Sequence, residues 1–157
     1  MNRPATLPTE SESDSARHAV LRDIRRVNRL AQAHGDRIAR RHGMTIGQWE
    51  LLRRLRCCSG PADQRELCCA FGVTPPTLTA LIDSAEERGW IRRIPHPDDR
   101  RRRRIELTDA GAEAIAALPH LGREVDDAMT EGFSERELDR MAVLLRRAAE
   151  NLRGAAP

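Results

Sequence analysis

The stretch 74–104 constrains the fold of this chain more than any other part of it. Thr74 is a suitable N-cap, and Pro75 suits the first helical position, where no amide hydrogen is needed. Apolar residues then recur at helical spacing until Gly89, where the helix should end. Two short strands are expected next, on either side of a polar, proline-rich turn at 95–100. A helix followed by a basic β-hairpin is the outline of a winged helix, a shape used to bind duplex DNA.

Helical segments are predicted on both sides of this region. A long amphipathic helix should run from residue 16 to residue 42, because apolar residues recur there every three or four positions among charged ones. Pro119 should interrupt the helical stretch after the hairpin, since proline lacks an amide hydrogen. Reciprocal capping boxes are expected at three further helix starts, 45–48, 63–66 and 134–137, which begin at Thr45, Asp63 and Ser134, and Thr108 should cap a fourth.

These elements predict a mainly α protein of α+β winged-helix type. The apolar stripes of the terminal helices are too extensive for the small core alone to cover, so two copies of the chain are expected to bury them against each other. An intramolecular three-helix cap on a monomer is the alternative. The predicted organisation is a flexible tail at 1–15 and one domain at 16–154, with a winged-helix core at 45–107 and dimerisation helices at 16–42 and 108–153.

Three sequence blocks follow one another at specific spacing. The first block ends the predicted helix, the second forms the hairpin tip and the third opens the next helix. Their residues are Leu81, Glu86, Arg88, Gly89, Trp90, Ile91 and Arg93, then Pro97 to Arg101, then Leu107, Thr108, Ala110 and Gly111. These blocks resemble those of the multiple antibiotic resistance regulator (MarR) family of bacterial transcription factors. The resemblance extends from Ala16 to Asn151 and implies an obligate homodimer that regulates transcription, expected to act as a repressor.

Predicted major-groove contacts lie at the start of the helix in this stretch. A recognition helix places its N-terminal residues on base edges, which selects four residues here. Hydroxyl groups can reach phosphates, and methyl or methylene groups can contact thymine methyls. The interior of the helix carries no arginine that could read guanine, so readout should depend on apolar contacts and DNA shape. The selected residues are Thr74, Pro76, Thr77 and Thr79.

Predicted minor-groove contacts lie at the hairpin tip. The family resemblance implies that Arg100 enters the minor groove of a palindromic operator while Asp98 braces it, and Arg101 is expected on the phosphate backbone. The arginines at 102–104 extend this basic surface. Alternatively, they form a solvated strand face paired with Glu106, Asp98 or Asp99.

The resemblance further implies a small effector, often an aromatic or phenolic acid, bound between the dimer helices and the winged core. Arg22, Arg26, Trp49 and Arg53 could line such a crevice. Trp49 is equally well explained as a core residue.

Four cysteines offer a second route to a signal. They form two adjacent pairs, and neighbouring side chains on a helix point about 100° apart, so one member of each pair should be exposed. Cys57 and Cys69 are the predicted exposed members, and oxidants or other thiol-reactive compounds could modify them.

The remaining sequence argues against several other classes of protein. No apolar run approaches the ~20 residues needed to cross a bilayer, and the first residues lack the pattern of a signal peptide, so a cytoplasmic protein without membrane contact is expected. No nucleophile motif, phosphate-binding glycine loop or paired-histidine motif suggests an enzyme, and no metal or cofactor is expected. The alternative function is a winged-helix protein-interaction module that has lost specific DNA binding.

Overall fold

The computed structural model describes residues 10–99 and 102–155. Helices dominate these residues, and three short strands form one antiparallel sheet. In chain order the elements are α1 (Glu10–Ala39), a 3-10 turn (Arg40–His42), α2 (Ile46–Arg56), β1 (Ala62–Asp63), α3 (Gln64–Phe71), α4 (Pro75–Glu87), β2 (Ile91–Pro95), β3 (Arg103–Leu107), α5 (Asp109–Ala116), α6 (Leu121–Thr130) and α7 (Glu135–Gly154).

The chain divides into two compact units, one through Leu121 and the other from Gly122 onward. The first unit contains α1 to α5 and all three strands. Its buried core is mainly aliphatic and includes Trp49, and this packing gives the winged region a rigid base. The largest fully buried side chains are Leu51, Leu52, Leu67, Leu78, Ile82, Ile91, Ile105, Ile115 and Leu121. The second unit contains the rest of α6 and the whole of α7.

Local sequence signals explain where several helices begin. Thr45 and Gln48 form the predicted reciprocal capping box at the start of α2, and Ser134 forms another with Glu137 at the start of α7. Thr108 accepts a hydrogen bond from the backbone N–H of Gly111 at 3.1 Å, as a cap for α5 should. Each of these bonds satisfies an amide that would otherwise lack a partner in the first helical turn.

Two caps differ from the sequence prediction. Asp63 accepts a hydrogen bond from the backbone N–H of Arg65 at 2.8 Å, without the reciprocal bond of a capping box. Thr74 occupies the N-cap of α4, but its hydroxyl makes no cap bond and instead lies 2.9 Å from the hydroxyl of Thr77. Pro75 at the first helical position leaves one amide fewer to satisfy.

The ends of the flanking helices also differ from the prediction. Residues 10–15, which were expected in the tail, belong to α1, while residues 1–9 lie outside the described range. At its other end α1 gives way to the 3-10 turn, and Gly43 follows with φ 73°. The break expected at Pro119 is confirmed, because it separates α5 from α6.

The sheet has the order β1-β3-β2, with both pairs antiparallel. The hairpin register places Ile91 opposite Leu107 and Pro95 opposite Arg103. β1 contributes only Ala62 and Asp63, and it was not predicted because two residues are too few to show alternation. This short strand ties the start of α3 to the hairpin.

Candidate nucleic-acid interface

The first turn of α4 is open to solvent. Thr74, Pro76 and Thr77 are exposed, whereas Leu78 in the same turn is fully buried in the core. The helix is therefore held by its apolar face and presents its N-terminal end outward. This is the arrangement that a recognition helix requires.

The Thr79 hydroxyl is engaged within the protein. It donates to the carbonyl oxygen of Pro75 at 2.9 Å and accepts from the side-chain amide of Gln64 at 3.0 Å. The methyl group of Thr79 is what remains for a contact with a base. Gln64 thereby joins the start of α3 to the recognition helix, a contact between elements that no local sequence signal reveals.

The tip of the wing is only partly described. Its turn is closed by a bond from the backbone N–H of Arg102 to the carbonyl oxygen of Asp99 at 3.0 Å. The backbone N–H of Asp98 lies 3.2 Å from Nδ1 of His96. Arg100 and Arg101 lie outside the described residues, so the bracing of Arg100 by Asp98 stays a prediction.

Arginines at the base of the wing have partners that the sequence did not suggest. The Arg102 guanidinium binds the Asp63 carboxylate, and Arg104 donates to the carbonyl oxygen of Pro61. The expected partner Glu106 instead accepts from Arg92. The reason is the unforeseen β1, which places residues 61–63 beside β3.

The Asp63 carboxylate makes two stabilising contacts, one with the Arg65 backbone N–H and one with the Arg102 guanidinium. Burial raises the pKa of its carboxyl, but hydrogen bonds from the Arg65 backbone and from Arg102 outweigh burial, so the pKa lies below its ordinary value. Asp63 is therefore ionised while it caps α3 and holds the wing.

A second anchor joins the wing to the recognition helix. The Arg93 guanidinium on β2 binds the carboxylates of Asp83 and Glu86 on α4, and the Arg93 backbone N–H also donates to Glu86 at 3.0 Å. The wing and the recognition helix are thus fixed to each other by charge-assisted bonds.

A polar groove of about 600 Å³ lies between the start of α3 and the wing. Its cationic residues are candidate phosphate contacts that sequence reasoning missed. Arg65 and Arg103 are both exposed there. The pairing of β1 with β3 brings them together, so only their basic character was visible in the sequence. The lining residues are Asp63, Gln64, Arg65, Asp99, Arg102 and Arg103.

The four predicted effector residues occupy two different settings. Trp49 is a core residue, 6% exposed, and its indole N–H donates to the carbonyl oxygen of Leu118 at 3.2 Å. Arg53 lies over the Trp49 ring at 5.3 Å. Arg22 and Arg26 are exposed on α1. An effector role for these residues stays a prediction.

The cysteines follow the predicted pattern of exposure. Cys57 and Cys69 are exposed, Cys68 packs against the core, and the Cys58 thiol lies 3.3 Å from the carbonyl oxygen of Arg54. Within the described residues no three side chains of His, Cys, Asp or Glu are grouped to hold a metal ion. No helix in that part of the chain has both the length and the apolar character needed to span a bilayer.

An outward-facing recognition helix, anchored to a basic antiparallel hairpin, defines a winged helix-turn-helix protein. Comparisons with known proteins agree. The model of the MarR family matches residues 44–102, which span the helix-turn-helix and the wing. The chain is 28% identical over 135 residues to the HTH-type transcriptional regulator PecS of Dickeya dadantii (strain 3937), covering 85% of this chain and 81% of PecS.

Two solved structures share the fold. A mutant MarR from E. coli in complex with operator DNA superposes with a TM-score of 0.75 at 24% identity, covering 83% of this chain and 93% of that one. BpsR of Bordetella bronchiseptica superposes with a TM-score of 0.75 at 19% identity, covering 83% of this chain and 92% of BpsR. That structure is described for the regulation of its DNA binding by 6-hydroxynicotinic acid. The chain is thus similar to transcriptional regulators of the MarR family in its helix-turn-helix and wing.

Proposed function

We propose that this protein is a homodimer that binds a palindromic DNA operator, with α4 in the major groove and the wing in the minor groove. The observation that carries the proposal is the pair of anchors, Asp63–Arg102 and Arg93 with its two carboxylates, which hold an arginine-rich wing beside an exposed helix start. Fixed geometry of this kind lets two DNA-contacting elements engage one duplex together. Arg100 is the proposed minor-groove residue, with Asp98 bracing it and Arg101 on the backbone.

Exposed apolar side chains support the homodimer. On α1 they are between 41% and 60% exposed, which is far more than a helix inside a monomeric core would show. A second copy of the chain is the proposed cover, because a palindromic operator has a matching two-fold axis. These residues are Val20, Leu21, Ile24, Val27 and Leu30 on α1, with Val143, Leu144, Leu145 and Leu152 on α7.

The proposed regulatory role is that of a repressor released by a signal. The structural neighbour BpsR, whose DNA binding is regulated by 6-hydroxynicotinic acid, supports a small-molecule signal. The exposed thiols of Cys57 and Cys69 support thiol modification as the other route.

The test is fluorescence anisotropy with the chain's own upstream DNA across a salt series. Wild type should bind tightly, and its affinity should fall by about 0.9 log unit per phosphate contacted for each log unit of salt. Arg100→Ala should weaken binding and flatten that slope. Arg56→Ala removes the same charge from an exposed position outside the predicted contacts, so it should bind like wild type.

Light scattering on the same samples should give the mass of a dimer. Equal losses of DNA affinity in Arg100→Ala and Arg56→Ala would show that the wing contributes only non-specific charge, which would overturn its proposed role. An intact dimer without salt-sensitive binding would favour a protein-interaction module. The absence of basic residues from 75 to 87 is the observation that keeps this second function in view.

A further inference from the structure

A cavity of about 630 Å³ opens behind the recognition helix, within the first unit. It lies between α1, α2 and the turn that joins α3 to α4. Its volume falls in the range of small-molecule sites, about 300–1,000 Å³. The lining residues are Asn28, Gln32, Thr45, Gly47, Gln48, Glu50, Phe71, Gly72, Val73, Thr77, Ala80, Leu81 and Ser84. The residues that the sequence proposed for an effector, Arg22, Arg26, Trp49 and Arg53, are not among them.

One wall of the cavity couples α2 to the recognition helix. Gln48 is 5% exposed and uses both ends of its side-chain amide. Its oxygen accepts from the Thr45 backbone N–H at 2.8 Å, and its nitrogen donates to the Ser84 hydroxyl at 2.7 Å. The Gln48–Ser84 bond is therefore the polar link between the cavity wall and α4.

The cavity has acidic character because of Glu50. Among the described residues that line it, Glu50 is the only ionisable one, and the other polar groups are amides and hydroxyls. Burial raises the pKa of the Glu50 carboxyl above its ordinary value, although Arg53 opposes this effect. A carboxylate brought into the cavity would meet this acid and no lining cation, whereas a cation would form a charge-assisted bond with it.

The rest of the lining determines the body of the ligand. Phe71, Val73 and Leu81 supply apolar surface in addition to the amide and hydroxyl groups. Flat aromatic groups bury well against such surface, and the cavity has room for more than one ring.

We propose that this cavity binds a hydrophobic organic cation, such as an aryl amidine, with its charged end on Glu50 and its rings against Phe71, Val73 and Leu81. The ligand class is opposite in charge to the aromatic acids that the family resemblance implied. A bound ligand would also contact Thr77 and Ser84 and compete for the Gln48–Ser84 bond, which would shift α4. This regulatory consequence rests on the proposed function, while the ligand class does not.

Three probes of matched shape test the ligand class directly. 2-Naphthamidine, 2-naphthamide and 2-naphthoate carry a cationic, a neutral and an anionic group on the same rings. Isothermal titration calorimetry on the full chain without DNA should show naphthamidine binding about tenfold or more tighter than naphthamide. Naphthoate should bind most weakly.

Variants assign the discrimination to the cavity. Glu50→Gln keeps the shape and removes the charge, so naphthamidine and naphthamide should then bind equally. Glu87→Gln makes the same change at an exposed position of α4 outside the lining and should leave the preference intact. Ala80→Phe should fill the cavity and weaken all three probes, and circular dichroism confirms that each variant is folded.

Naphthoate binding as tightly as naphthamidine would overturn the proposal, as would a preference for the cation that survives in Glu50→Gln. Absence of binding by all three probes to folded wild type would overturn it as well.

Naphthamidine is then added to the complex with upstream DNA. Binding of the probe by a chain that never binds DNA would retain the ligand class and reject the proposed function. DNA binding by a chain that gives no calorimetric signal with the probes would retain the proposed function and reject the ligand class.

Discussion

The Asp63 carboxylate binds the Arg102 guanidinium and, through a second contact at 2.8 Å, caps α3 at the backbone N–H of Arg65. One buried acid therefore fixes both the first helix of the helix-turn-helix and the base of the wing. Because Asp63 is held on β1, its position depends on the pairing of β1 with β3.

Asp63→Asn should lower the free energy of unfolding at neutral pH by about 1–3 kcal/mol, because charge-assisted hydrogen bonds are lost at a buried position. Folding lowers the pKa of Asp63. The ionised Asp63 carboxylate therefore contributes its full stabilisation at pH values above its ordinary pKa of about 4. That stabilisation is lost as the pH falls through the lowered pKa of the folded state. Urea denaturation at a series of pH values should show wild type and variant converging in acid.

Glu66→Gln is the matched control for Asp63, because Glu66 is an exposed acid on α3, the helix that Asp63 caps. It should change the free energy of unfolding by no more than about 0.5 kcal/mol at any of these pH values. A difference between wild type and Asp63→Asn that stays constant from neutral pH into acid would contradict the linkage.

Arg93→Ala should destabilise the wing, because it removes the ion pairs with Asp83 and Glu86. The expected loss is about 1.5–3 kcal/mol in the free energy of unfolding, measured by urea denaturation. The adjacent Arg92→Ala provides the control, since the Arg92 side chain is 66% exposed and its pair with Glu106 should contribute about 0.2–1 kcal/mol. Equal losses in the two variants would show that the Arg93 cluster does not anchor the hairpin.

Trp49→Phe should separate a core role from an effector role. The variant keeps an aromatic ring but leaves the Leu118 carbonyl oxygen without its indole donor, at an expected cost of about 1–3 kcal/mol. Trp90→Phe is the control, because Trp90 is only partly buried and its ring contacts Arg88 at 4.8 Å. That variant should lose no more than about 1 kcal/mol in thermal or urea unfolding. An unchanged stability of Trp49→Phe would show that the indole hydrogen bond does not stabilise the fold and would return Trp49 to the effector candidates.

Gly111→Ala should be strongly destabilising because of a close backbone approach. A Cβ there would lie 2.1 Å from the Trp90 carbonyl oxygen and 2.7 Å from Cδ1 of Leu107. Relieving that overlap requires the start of α5 to move away from β3, at about 1–3 kcal/mol or more. Gly60→Ala has no neighbour within 4 Å of the added carbon and serves as the control. The midpoint of urea unfolding should fall in the first variant only, and a tolerated Gly111→Ala would contradict this packing.

Local signals in the sequence were sufficient for most of the fold. The capping boxes at Thr45 and Ser134, the stop at Gly89 and the break at Pro119 depend on interactions between residues a few positions apart, which a pattern can represent. The same is true of the exposure of Cys69, since helical periodicity decides which member of the Cys68–Cys69 pair on α3 faces outward. Cys57 is also exposed, but it follows the end of α2 at Arg56, so helical periodicity does not explain its exposure.

The candidate site was predictable only in part. The exposed start of α4 follows from the apolar spacing of Leu78 and Ile82, which turns Thr77 outward. The alternative considered for Arg102 and Arg104 named acids near them in the chain, whereas the structure pairs Arg102 with Asp63 and Arg104 with the Pro61 carbonyl oxygen.

The sequence by itself determined the order of the helices and of the two hairpin strands, the winged-helix class and the basic character of the wing, because periodicity, capping and turn chemistry are local. Only the tertiary structure decided which charges pair and what lines the cavity behind α4. Asp63 meets Arg102 across 39 positions, and Gln48 meets Ser84 across 36. Such contacts depend on how strands register and helices pack, and no local pattern of residues specifies which distant parts of the chain come together.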